Sequence, residues 1–146
     1  MRKNSANYAQ AKEQTIIFIN KNQNEIENVK NDVIEKQTAK GISMKGVSYI
    51  SYEVYNEDTF VFFDYGSQGM LGGQYWGFYY SSSNLPRVQA DYQGKCPLTE
   101  AKIEGCFYWR ELNGNNFYAS ERINDNWFFY YMDYDNNRHK LNWERK

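Results

Sequence analysis

An α+β fold, with one long amino-terminal helix packed on a curved antiparallel sheet of six or seven strands in a meander, follows from three features of the chain. From about Tyr8 to Lys40 there is no Gly or Pro, and Glu, Lys, Gln and Ala are frequent. After Gly46 the apolar pattern changes from a helical period to alternation. The last third holds three alternating runs separated by short connectors of Asn, Gly and Asp. The chain of 146 residues is long enough to bury a core and reads as one domain. It divides into a helix over 1–41, a β domain over 46–134 and a polar tail over 135–146.

The helix carries Ile19, Ile26 and Val33 seven residues apart, with Ile16 and Val29 on nearly the same face. That stripe packs and the opposite side stays wet. Its weak point is Asn20-Lys21-Asn22-Gln23-Asn24, because Asn side chains compete for backbone hydrogen bonds. Gly41 is the expected stop, and Lys36 and Lys40 suit the negative end of the helix dipole. In the β region, Val47–Tyr55 alternates as a strand, and Asn56-Glu57-Asp58 turns it into Thr59–Tyr65. A Gly-rich loop, Gly66–Gly73, leads into Gln74–Ser82, which Ser83-Asn84-Leu85-Pro86 breaks. A weaker strand is expected over Arg87–Tyr92. Gly105–Leu112, Asn116–Ile123 and Trp127–Tyr134 follow, joined by Asn113-Gly114-Asn115 and Asn124-Asp125-Asn126, whose residue types tolerate the positive φ of tight hairpins.

Composition narrows the function classes. With 17 basic and 18 acidic residues the formal net charge is −1, without the basic excess that a general nucleic-acid binder needs. No apolar run approaches the roughly 20 residues of a spanning helix, and no apolar stretch follows the basic start Met1-Arg2-Lys3 as a signal peptide would require. The surplus is aromatic: 4 Trp, 14 Tyr and 9 Phe, 18% of the chain. Several strands, such as Trp127-Phe128-Phe129-Tyr130-Tyr131, are apolar on both faces, and one helix covers only one. Either the sheet curls on itself or an aromatic face is left for a partner. Tyr75, Trp76, Tyr79, Tyr118, Tyr131 and Trp143 are the candidate binding rings, suited to a protein, peptide or glycan. The competing reading, that they are core and cross-strand pairs, is favoured by what aromatics ordinarily do in sheets.

Other motifs weigh less. The loop Gly66-Ser67-Gln68-Gly69-Met70-Leu71-Gly72-Gly73 lacks the Lys-Ser/Thr ending and the following helix of a phosphate loop, so Gly66, Gly69, Gly72 and Gly73 read as a hairpin loop. Asp133-Tyr134-Asp135-Asn136-Asn137, with Glu144 at the twelfth position, resembles the start of a calcium loop, but Arg138 stands where glycine is required. No metal or cofactor is therefore expected. His139 is the sole histidine, and no nucleophile-elbow motif accompanies it. Asp64 with Glu53 or Glu111 is the one paired-carboxylate option, and no catalytic residue is assigned. Cys96 and Cys106 could close a short loop worth roughly 2–3 kcal/mol, or remain two thiols.

Gly73-Gln74-Tyr75-Trp76-Gly77-Phe78-Tyr79-Tyr80-Ser81-Ser82 with Leu85-Pro86, and Asp125–Tyr131, resemble motifs of a family of small uncharacterised proteins of low-GC Gram-positive bacteria. Thr59–Gly66 and Pro97-Leu98-Thr99 extend the resemblance to about two-thirds of the chain. It implies an anchor or export segment ahead of a helical spacer and a β domain, hence a place outside the cytoplasm. Any membrane contact would then run through a segment absent from this chain. The resemblance brings no activity or site residues with it. The resulting expectation is a non-enzymatic extracytoplasmic accessory or binding domain, possible also as a homodimer. The alternatives are a cytoplasmic inhibitor of the immunity type and a carboxylate-based hydrolase.

Overall fold

The computed structural model describes residues 3–68, 73–88, 98–111 and 116–134, with backbone alone over 3–7. The expected single helix is two: α1 (Lys3–Lys21) and α2 (Gln23–Lys36). The break falls on Asn22, whose side-chain amide donates to the Phe18 carbonyl at 2.8 Å while its own carbonyl accepts from Ile26 N–H at 2.9 Å. The Asn side chain thus closes one helix as its backbone opens the next, the competition that makes Asn a poor interior residue. The end also moves, from Gly41 back to Lys36. Gln37 turns left-handed at φ 56°, and Gln37 N–H and Thr38 N–H bond the Ile34 and Val33 carbonyls. These paired bonds satisfy the last carbonyls without a glycine.

Seven strands form one open antiparallel sheet: β1 (Tyr49–Tyr55), β2 (Asp58–Gln68), β3 (Gln74–Ser81), β4 (Thr99–Glu100), β5 (Cys106–Arg110), β6 (Phe117–Asn124) and β7 (Trp127–Asp133). The order is β1-β2-β3-β7-β6-β5-β4, so the expected sequential meander is corrected to two meanders joined side by side through β3 and β7. The β1–β2 hairpin turns on Asn56 and Glu57, both left-handed at φ 50° and 70°, as a twisted two-residue hairpin requires. Gly66, Ser67 and Gln68 belong to β2 rather than to the anticipated loop; Gly69 and Gly72 lie outside the described residues. Arg87 and Val88 are not strand, and the rest of that expected strand, 89–92, also lies outside the described residues. So does the tail 135–146, with His139, Leu141 and Trp143.

Alternation sorts the rings onto two faces. On the first, Val61, Phe63, Phe78, Phe129 and Tyr131 are buried with Tyr8, Ala11, Ile26 and Val33 from the helices. Glu121 of β6 fastens α1 to this face, accepting from Tyr8 Oη at 2.9 Å and pairing with Lys12 Nζ. On the second face Phe62, Tyr79, Phe128, Tyr118 and Tyr130 are equally buried. Tyr79 stacks on Phe62 at 4.7 Å and on Phe128 at 5.1 Å. Among the described residues no helix covers them.

A strap over 82–88 packs there instead. Arg87 N–H donates to Tyr79 Oη at 2.9 Å, and Tyr118 Oη donates to the Arg87 carbonyl at 3.0 Å. Val88 enters the ring cluster. Asn84 anchors the strap, its side-chain oxygen accepting from Asn126 N–H at 2.8 Å and Arg122 Nε at 3.2 Å. The tyrosines of this face therefore bury rings while their hydroxyls tie down irregular backbone, which burial would otherwise leave unsatisfied.

Candidate functional site

The pairing of β2 with β3 shifts register after Asp64. Asp64 faces Gly77 and Gly66 faces Trp76, so Tyr65 is the extra residue of a bulge. Bulges re-aim side chains and open a sheet locally. Here a cleft of about 410 Å³ opens, walled by Tyr65, Tyr75, Trp76, Tyr130 and Tyr134, with Asp64 among them. Ser48, Gly66, Ser67 and Met132 complete the lining, and among the described residues no Lys or Arg belongs to it.

Two glycines make this arrangement fit. A Cβ on Gly66 would stand 2.4 Å from the Trp76 indole. Trp76 therefore lies flat against the bulge, its buried Nε1 without a hydrogen-bond partner among the described residues. Its ring stacks on Tyr131 at 6.1 Å within the helix-covered cluster. A Cβ on Gly77 would lie 2.1 Å from the Phe63 carbonyl oxygen and 2.9 Å from Tyr130 Oη. Without it, the Tyr130 hydroxyl reaches across β3 and donates to an Asp64 carboxylate oxygen. Burial, followed by the Asp64 charge and that hydrogen bond, holds the Tyr130 phenol well above its ordinary pKa. Tyr130 stays a neutral donor to the Asp64 carboxylate. Tyr75 forms the outer wall, 38% exposed and edge-to-face with Tyr134 at 5.8 Å.

The expected binding rings separate. Tyr75 and Trp76 both belong to the cleft lining, but Trp76 is buried and its ring packs on Tyr131 on the opposite face. Tyr79, Tyr118 and Tyr131 are core, with no exposed aromatic face among them. The reason is packing from both sides: helices cover Tyr131, and the strap covers Tyr79 and Tyr118. Trp143 lies outside the described residues, as does Cys96, so the Cys96–Cys106 pairing stays an expectation. Cys106 is a buried thiol whose pKa burial, then the Glu121 charge, pushes up to about 11.

Asp64, Tyr65, Tyr130 and Tyr134 were not legible as ring-and-carboxylate neighbours. The one signal was Gly66 following Asp64-Tyr65 inside an apolar strand, where glycine marks a bulge or a close approach. The carboxylates of the hydrolase option are separately engaged. Glu53 accepts from Arg87 Nε at 2.6 Å, and Glu111 accepts from Asn116 N–H at 3.3 Å. Among the described residues no helix is long and apolar enough to cross a membrane. No protein-family model, curated protein or solved structure matches this chain.

Proposed function

We propose that this chain is a non-enzymatic binding domain, and that its contact site is the cleft at the β2 bulge, which receives a cationic group carried by a partner. The observation that carries this is the lining on the strap side of the sheet: Tyr75, Tyr130 and Tyr134 stand beside one carboxylate, and among the described residues no basic side chain joins them. Ring faces are the negative side of the aromatic quadrupole, and an ammonium held between them gains roughly 0.5–2 kcal/mol per favourable contact. The Asp64 carboxylate, which accepts from Tyr130 Oη, lies at the same place. A lysine-type ammonium or a quaternary ammonium is the ligand chemistry that both features favour. A place outside the cytoplasm belongs to the same proposal and rests on the family resemblance.

The hydrolase alternative is weaker on geometry. Glu53 pairs with Phe60, four residues along β2 from Asp64, which separates the two backbones by about 13 Å. Glycosidase carboxylates stand roughly 5–10 Å apart. The inhibitor alternative has no comparable observation behind it.

The test is a titration by isothermal calorimetry or amide chemical shifts with choline and with N-acetyl-lysine amide, beside choline's neutral tert-butyl analogue. Binding of the cations alone, weakened about fivefold or more in Tyr75→Ala, is the expected result. Tyr75 is a rim residue, so this variant keeps the fold. Equal binding of the neutral analogue, or no shifts at Asp64, Tyr75 and Tyr134 with any probe, would overturn the proposal.

A further inference from the structure

β1 is an edge strand, and its sequence reads almost the same in both directions: Tyr49-Ile50-Ser51-Tyr52-Glu53-Val54-Tyr55. We propose that this edge pairs antiparallel with β1 of a second copy, about a two-fold axis through Tyr52, making one continuous fourteen-stranded sheet from two seven-stranded ones.

A two-fold at residue 52 places 49 opposite 55, 50 opposite 54 and 51 opposite 53. Every such pair is chemically matched. Tyr49 meets Tyr55, an aromatic cross-strand pair. Ile50 meets Val54, two β-branched apolar residues. Ser51 meets Glu53, and Tyr52 meets itself. Aromatic and β-branched cross-strand pairs are the stabilising unit of a sheet, and an isologous contact requires this kind of self-complementarity. A shift of register by two residues sets Ile50 opposite Tyr52 or Val54 opposite Tyr52, and pushes an end tyrosine out of the ladder. The centred register is thus the one the side chains select. It also suits either phase of the backbone ladder, since an antiparallel two-fold can pass through a hydrogen-bonded or a non-hydrogen-bonded pair.

The exposure of the strand fits the same reading. Tyr49 is 64%, Val54 56% and Tyr55 40% exposed, so large apolar surface sits at the three positions where the second copy would supply partners. Among the described residues the outer backbone edge of Tyr49–Tyr55 has no backbone partner. Solitary edges are ordinarily blunted by Lys, Pro, a bulge or brevity. The opposite edge follows that rule, β4 being two residues long. β1 does not: it has seven residues, no Lys or Pro and an unshifted ladder with β2. Its one charge, Glu53, is already neutralised by Arg87, whose guanidinium lies 3.9 Å from the Tyr55 ring centre. Tyr55 is thereby held in place on the face where it would meet Tyr49 of the second copy. A groove of about 680 Å³ between the 37–43 segment and Val47–Tyr52 lies beside the first half of this edge.

The experiment is sedimentation equilibrium of the whole chain over a concentration series reaching sub-millimolar protein. A reversible dimer of twice the 17.4 kDa chain mass is expected. Val54→Lys, an exposed edge position, should weaken association at least tenfold while leaving the circular dichroism spectrum unchanged. Register is read by cysteine pairing. A mixture of Tyr49→Cys and Tyr55→Cys chains should oxidise to a 49–55 linkage identified by peptide mapping. Tyr49→Cys alone should not link at that position, because its own copy lies about 20 Å away along the ladder. A chain that stays monomeric, a dimer indifferent to Val54→Lys, or efficient 49–49 linkage would each overturn the proposal. None of these outcomes bears on the cation cleft.

Discussion

Gly77→Ala is the sharpest perturbation this structure offers, because its cost can be worked from contacts. The added methyl would lie 2.1 Å from the backbone oxygen of Phe63 and 2.8–2.9 Å from the Tyr130 ring and hydroxyl. Neither neighbour can yield cheaply: one is ladder backbone in β2, and the other is a fully buried ring whose hydroxyl is bonded to Asp64. Overpacking in well-filled cores costs about 1–3 kcal/mol and occasionally more. A contact with ladder backbone belongs at the upper end, about 3 kcal/mol. Unfolding entropy of about 2.1 cal/mol/K per residue comes to about 0.3 kcal/mol/K for this chain, so the midpoint should fall by about 10 °C. Thermal unfolding followed by near-ultraviolet circular dichroism is the assay, since the displaced Tyr130 should also dim the aromatic signal below the transition. Gly41→Ala is the control. It has a φ of 78° but nothing within 4 Å, so only left-handed strain of about 1 kcal/mol applies. A Gly77→Ala midpoint within 2 °C of the parent, or no larger a loss than in Gly41→Ala, would refute the packing argument.

Three further outcomes follow from other parts of the molecule. Tyr131 Oη is buried without a hydrogen-bond partner among the described residues, so Tyr131→Phe should raise stability by about 1 kcal/mol in urea unfolding; a loss of that size would mean the hydroxyl is satisfied. Glu57 holds φ 70° in the β1–β2 turn, and Glu57→Gly should also stabilise by about 1 kcal/mol, as relief of left-handed strain predicts, with a destabilised variant counting against the turn geometry. Cys106 is raised from 9.0 to about 11 in the fold, so the folded protein keeps a proton that the unfolded chain releases first. Its stabilising effect is complete below pH 9 and is lost as pH rises through 11, a total of about 2–3 kcal/mol. Cys106→Ala should flatten this stretch of the stability–pH curve, and an unchanged slope would contradict the assignment.

Local chemistry was readable along the chain and non-local chemistry was not. Asn56 and Asn126 marked their hairpins because Asn is one of the few residues that readily adopt positive φ. Asn22 broke the helix within the Asn-rich segment where propensity is weakest. The β3–β7 pairing joins residues about fifty positions apart, and no local pattern distinguishes it from a sequential meander. Tyr79 and Tyr118 illustrate a subtler loss. A tyrosine suggests a wet rim, yet here each hydroxyl is spent on the backbone of the 82–88 strap, an element without periodicity of its own. The cleft depends on the bulge at Tyr65, a one-residue slip between strands that shows in the sequence only as a glycine.

The central structural claim is that β3 and β7, covered by helices on one side and by the strap on the other, form the most protected part of the molecule. Native-state hydrogen exchange measures this directly. Amides of Phe78, Tyr79 and Phe128–Tyr131 should exchange only through global unfolding, with α1 opening at lower free energy. Exchange of the β3 and β7 amides through openings cheaper than those releasing α1 would contradict the account.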